Sequence, residues 1–247
     1  MAKKKTKTTK ATTASAIISF PNLVENAFDE MVKTYTDFFN SGFIPAIPRS
    51  KKEICFKERN LTFNFCSSYL QNAGIRNGKD IFVWQEVDIM QVPDRRGRID
   101  SVILDLREDV NVLLLIEAKR IADGGDKIDG KSVHKCEALQ ADMARLKDIN
   151  LPGNPNGTWK ISDELYTLIN QYKPAIYRLA LVDYWKWNDS KRSQTYKCMI
   201  KYEECSGNKF IPINNVKFHN GLYFLNYCLE QIAPIQSPQT CCNHLLP

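Results

Sequence analysis

Residues 98–120 read RIDSVILDLREDVNVLLLIEAKR, and their residue types and spacing could support hydrolytic chemistry. Asp100 opens one apolar segment, and Glu117-Ala118-Lys119 closes the next. Val110 to Ile116 is a nearly unbroken apolar run, the pattern of a strand covered on both faces. Side chains alternate along a strand, so Glu117 and Lys119 share one face and Ala118 takes the other. Charges at the mouth of a buried strand are costly unless they pair with each other or with a metal. If Arg107-Glu108-Asp109 turns the two segments into a hairpin, Asp100 comes level with the Glu117/Lys119 end. Two carboxylates and a lysine so placed suit a divalent cation and an activated water. Standing alone, a Glu-x-Lys triplet is no more than a solvated surface pair. The long apolar run before it and the Asp-bearing segment beside it give it weight.

The arrangement resembles the PD-(D/E)XK nuclease superfamily, which has the restriction-endonuclease-like fold. The acidic residue of one strand corresponds to Asp100, within Gly97-Arg98-Ile99-Asp100, and the (D/E)-x-K of the next to Glu117-Ala118-Lys119. A further Glu on a preceding helix matches Glu58, and one on the strand before the Asp matches Glu86. Gln140 fits the helical Gln of some subfamilies, but Ala144 stands where their Tyr would be. Pro93-Asp94 is a literal Pro-Asp pair in a polar loop and is not the motif Asp. The resemblance covers residues 53–185.

That resemblance implies an α/β fold with a mixed central sheet flanked by helices. It implies Asp100, Glu117 and Lys119 as catalytic residues, with Glu58 assisting. Asp100, Glu117 and the Ala118 carbonyl would hold Mg²⁺, for which Mn²⁺ can substitute. The implied activity is a DNA endonuclease of restriction or genome-defence type, cytoplasmic in a bacterium or phage, and compatible with a homodimer. Two alternatives stand beside it. One is a non-catalytic nucleic-acid-binding or assembly protein that retains the fold, and the other a nuclease acting on branched DNA or RNA.

The elements that must position these residues can be read along the chain. Pro21 to Asn40 places Leu23, Val24, Ala27, Met31, Tyr35, Phe38 and Phe39 at roughly helical spacing, and a second helix spans Glu58 to Ala73. Strands are expected at Ile81–Ile89, Ile99–Leu106 and Val110–Ala118, the first two joined by the loop PDRRGR. Ala122 to Lys131 reads as a loop rimming the site, followed by a helix over Val133–Ile149. A short helix starts at Ser162-Asp163-Glu164. Ile176–Trp185 and Thr195–Tyr202 form a strand pair, and Leu222–Ile232 reads as a final helix. Tyr172, Tyr177, Tyr184, Trp185 and Trp187 are core aromatics by default, with base stacking by Trp185 or Trp187 as the alternative.

Composition agrees with one globular body. The 247 residues are 43% hydrophobic and 11% aromatic, enough for a substantial core. No apolar stretch is long enough to cross a bilayer, so no membrane partner is expected. Most of the net charge of +6 comes from Lys3, Lys4, Lys5, Lys7 and Lys10. Residues 1–16 therefore read as a flexible basic tail suited to phosphate contacts, residues 17–240 as the nuclease-like domain, and residues 241–247 as a C-terminal tail. The eight cysteines include no C-x-x-C pair, and Cys241-Cys242 with His244 is a poor zinc set. No Walker loop, GxGxxG fingerprint or GxSxG elbow occurs.

Overall fold

A computed structural model describes residues 19–41, 58–74, 80–91, 95–121, 125–128, 131–186, 211–212 and 222–232, with the isolated positions 200, 203, 204 and 207. The chain opens with α1 (Phe20–Asn40), where Phe20, Leu23, Val24, Ala27, Phe28, Met31 and Tyr35 make one buried stripe. This spacing gives an apolar face wide enough to lie on a sheet. Next, α2 (Glu58–Asn72) buries Leu61, Phe65, Cys66 and Tyr69.

Three antiparallel strands come next: β1 (Ile81–Gln91), β2 (Arg95–Asp105) and β3 (Val112–Ile121). After β3 come the short strands β4 (Gly125–Ile128) and β5 (Lys131–His134), then α3 (Lys135–Lys147). A two-residue strand, β6 (Trp159–Lys160), leads to α4 (Asp163–Tyr172) and then to β7 (Ala175–Lys186). The described chain ends with β8 (Ile211–Pro212) and β9 (Leu222–Gln231). The main sheet has the order β6-β1-β2-β3-β7-β9-β8, with β7 parallel to β3 and antiparallel to β9. The fold is thus mixed α/β, with helices on both faces of a mixed sheet.

The β3 sequence explains the two-sided cover. Val112, Leu114, Ile116 and Ala118 join α1 and α2 in one core, and Leu113, Leu115 and Ile121 join α3 and α4 in the other. Alternation therefore sends Glu117 and Lys119 toward the α3 side. At the far end of the hairpin, Tyr69 donates to Asp105 Oδ2 at 2.8 Å, and Arg107 grips both oxygens of the same carboxylate. Arg107 also donates to the Ala73 carbonyl at 3.1 Å, which ties the end of α2 to the turn. Capping fixes α4: Ser162 accepts from the Leu165 N–H, and the left-handed Lys173 closes the helix just before Pro174.

Four expectations are corrected. Arg95, Arg96 and Gly97 belong to β2 and not to a loop, because they pair with Gln91, Met90 and Ile89. Part of the expected rim loop is the β4–β5 hairpin, whose sequence signal is the Asp129-Gly130 dipeptide between the strands. Leu222–Ile232 is a strand and not a helix. Its apolar stretch, Leu222 to Leu229 broken only by Asn226, suits either form, and the ladder with β7 decides in favour of the strand. That ladder also makes β9, and not Thr195–Tyr202, the antiparallel partner of β7. Of Thr195–Tyr202 only Ile200 is described, and it is helical. Pro93-Asp94, Trp187, both tails and Cys241, Cys242 and His244 lie outside the described residues. No described helix is long and apolar enough to cross a membrane.

Candidate active site

At the hairpin end opposite Asp105, the β2–β3 ladder runs from Asp105↔Val112 to Ser101↔Ile116 and stops. One step further, Asp100 accepts a hydrogen bond from the Ala118 main-chain N–H at 2.7 Å through Oδ2. The carboxylate takes over the role of a strand carbonyl and is fixed by the backbone of the neighbouring strand. Glu117 is only 3% exposed and close enough to share a hydrogen bond with Asp100. The sequence expectation that Asp100 comes level with Glu117 and Lys119 therefore holds.

Across from them stands α3, whose Leu139, Met143 and Leu146 are buried. Two charged residues on the rim of that stripe reach the strand ends. Asp142 accepts from Lys119 Nζ at 2.9 Å and from the Arg145 guanidinium, also at 2.9 Å. Arg145 in turn meets Glu117 Oε1 at 2.7 Å and the Arg98 carbonyl at 3.0 Å. The result is a continuous chain of ion pairs, Lys119–Asp142–Arg145–Glu117, linking α3 to β3 and the β2 backbone.

Burial dominates the electrostatics. It pushes the Glu117 carboxyl well above the ordinary range, and the neighbouring Asp100 charge adds to this, while Arg145 pulls the other way. Burial also raises Asp100, against the opposing pull of the Ala118 N–H and of Lys119. For Arg145, burial works against the charged form, but Glu117 and Asp142 outweigh it and hold the guanidinium above its usual value. Two adjacent carboxyls that resist joint ionisation are a setting that a hard cation relieves.

No three His, Cys, Asp or Glu side chains gather as a metal-holding group among the described residues. What the described residues offer a cation is the Asp100–Glu117 carboxylate pair. Such a donor set suits Mg²⁺, which takes one or two carboxylates and completes its shell with water and substrate oxygens.

Of the other sequence candidates, Glu86 stands where the β1–β2 register passes Asp100, between the pairs Gln85↔Ser101 and Val87↔Ile99. Glu58 opens α2, but its side chain is outside the described ones, as is that of Trp185. Glu86 pairs with Arg59 at 2.7 Å and with Arg98 at 3.0 Å. Gln140 is exposed on α3. Sequence reasoning missed Asp142 and Arg145. Their only signal was a charged pair three residues apart beside an apolar stripe, which reads equally well as a surface pair.

Trp159 braces the site from behind, with the guanidinium groups of Arg95 and Arg145 each 5.8 Å from its ring centroid. Compared with protein families, curated proteins and solved structures, the chain matches none.

Proposed function

We propose that this chain is a metal-dependent nuclease that hydrolyses DNA phosphodiester bonds, with Asp100, Glu117 and Lys119 at the reaction centre. The observation that carries this reading is the Asp100–Glu117 pair: two interacting carboxyls on neighbouring strands, Glu117 buried and Asp100 half-buried and tied to the Ala118 N–H, with Lys119 two residues along. A charge cluster of this kind is expensive to bury and has an evident use when a cation and a phosphate complete it. The order of elements gives further support. A helix, three antiparallel strands, a helix and a strand parallel to the third agree with the restriction-endonuclease-like fold that the sequence resemblance implies.

The residues divide the work. Asp100 is pinned by the Ala118 N–H and Glu117 by Arg145, so both carboxylates are oriented before any ligand arrives. Together with the Ala118 carbonyl they would hold Mg²⁺ or Mn²⁺, which supplies Lewis acidity and an acidified water. Lys119, steadied by Asp142, puts positive charge beside the scissile phosphate and orients the attacking water. A restriction or genome-defence role in the cytoplasm belongs to the same proposal.

One observation favours a second reading. An arginine that neutralises Glu117 permanently would let the site persist without a metal, as in a non-catalytic nucleic-acid-binding or assembly protein that keeps the fold.

The test is incubation of the full-length protein with plasmid, linear, single-stranded and branched DNA and with RNA, in Mg²⁺ or in chelator. Mg²⁺-dependent cutting of DNA, lost in Asp100→Ala, Glu117→Ala and Lys119→Ala by about a thousandfold or more, supports the nuclease. Cutting at the wild-type rate by the triple variant sinks the assigned site. Binding without cutting under every condition favours the second reading, and cutting of branched DNA or RNA alone redirects the substrate class.

A further inference from the structure

The Arg145–Glu117 pair poses a problem for any cation. Both would use the same carboxylate, and both are positive. With Asp100, Glu117 and Asp142 ionised, three carboxylates face two cations, Lys119 and Arg145, which leaves one formal negative charge. A dication entering that site is attracted by the carboxylates and repelled by a guanidinium already seated on one of them. We propose that Arg145 is an internal counter-cation of this site: it holds Glu117 while no metal is bound, and a divalent cation takes Glu117 only by displacing it. This rests on the nuclease reading and deepens it, because it makes Arg145 the residue that sets how much free metal the site requires.

The geometry makes the displacement feasible. Arg145 holds Glu117 through a single nitrogen, which it shares with the Arg98 carbonyl. Its other terminal nitrogen pairs with Asp142 one turn back on the same helix, so the guanidinium keeps a partner when it lets Glu117 go. Its Nε is buried without a hydrogen-bond partner, so the guanidinium is not fully satisfied where it sits. The side chain is 21% exposed, whereas Glu117 is almost wholly buried. Arg145 therefore has somewhere to go, and Glu117 does not. While no cation is present, the arrangement spares Glu117 an uncompensated buried charge. When one arrives, the released guanidinium adds positive charge at the place where a phosphate would bind.

The experiment measures Mn²⁺ binding directly, with nucleic acid absent, by the electron paramagnetic resonance signal of free Mn²⁺. The samples are the full-length protein and the variants Arg145→Met, Arg145→Lys and Arg145→Met/Glu117→Gln. Arg145→Met should bind Mn²⁺ about tenfold more tightly than wild type, since a repelling charge and a competitor leave together. The gain should vanish when Glu117→Gln is added. Equal or weaker binding by Arg145→Met overturns the proposal while leaving the metal site in place. Absence of binding by wild type and Arg145→Met alike overturns both the proposal and the metal-dependent reading. If Arg145→Met does not fold, Arg145→Lys decides: it keeps the charge without the fork, so its affinity should rise severalfold, and wild-type affinity there also overturns the idea.

Discussion

Asp100 and Ala118 are joined by a hydrogen bond of 2.7 Å that begins where the β2–β3 ladder ends. The carboxylate is thereby oriented by the sheet itself. Glu117, next to Ala118, is oriented from the opposite side by α3 through Arg145. Two carboxylates fixed by independent supports, one buried and one half-buried, meet at the end of the hairpin, and the consequences can be measured.

Stability in the absence of metal should depend on this pair. Burial holds both carboxyls above their ordinary range, and Asp100 raises Glu117 further. A carboxyl raised in the folded state binds more protons folded than unfolded, so stability falls as pH rises toward the folded pKa. In chelator, acidification from neutral toward about pH 4.3, the ordinary Glu value, should relieve this penalty. Glu117→Gln removes the larger part, so its melting temperature should gain less than wild type over that window. Parallel pH profiles for the two proteins would contradict the assigned electrostatics.

Asp105 should govern folding without touching chemistry. It is fully buried, with Tyr69 and Arg107 as partners, and lies five residues from Asp100 along β2, roughly 17 Å for an extended strand. Asp105→Ala leaves the guanidinium and the phenol without their acceptor and should cost about 3–5 kcal/mol in urea denaturation. Tyr69→Phe, which deletes one bond to a charged acceptor, should cost about 1.5 kcal/mol. Wild-type cleavage rates in Tyr69→Phe at a temperature where it stays folded would place this cluster outside the site. A rate loss as large as that of Asp100→Ala would place it inside.

What could be read from the sequence was local or periodic. The alternation of β3 and the α1 stripe follow from side-chain direction alone, the position of Asp100 needs the hairpin turn at Arg107-Glu108-Asp109 as well, and the structure agrees with all three. The misread elements depend on distant partners. Leu222–Gln231 is nearly continuous in apolar residues, so only its ladder with β7 makes it a strand. Asp142 and Arg145 look like surface charges until α3 is laid against the end of β3. Gly97 is a subtler case. Within Gly97-Arg98-Ile99-Asp100 it suggests a turn, yet it is a strand residue whose missing side chain makes room for Trp159.

That reading of Gly97 can be checked. A Cβ at this position would lie 2.7 Å from Trp159 Cζ3, too close to be accommodated without movement. Gly97→Ala must push the indole from beneath Arg95 and Arg145, and should cost about 1–3 kcal/mol by overpacking. Because Arg145 rests on the same ring, cleavage should weaken as well. Pairing Gly97→Ala with Trp159→Leu should restore much of the lost stability. Additive losses in the double variant would show that the contact is not the cause.

Glu86 offers a test of sign. It sits in β1 with a φ of 54°, a left-handed conformation that a residue with a Cβ adopts at a cost of about 1 kcal/mol or more. Its pairs with Arg59 and Arg98 are partly exposed and offset little of that cost. Glu86→Ala and Glu86→Gly both delete these pairs, so the comparison between them isolates the backbone. In an ordinary strand Ala is the better residue by about 0.5–1 kcal/mol, because Gly loses more entropy on folding. Here the order should reverse, with Glu86→Gly the more stable by about 1 kcal/mol in urea denaturation. The ordinary order would mean that the strand relaxes out of the left-handed region once the arginine pairs are gone. Cleavage by the two variants then separates the roles of Glu86. If the side chain serves only to hold Arg59 and Arg98, the glycine variant should cut DNA at close to the wild-type rate, and a loss comparable to that of Glu117→Ala would bring Glu86 into the reaction centre.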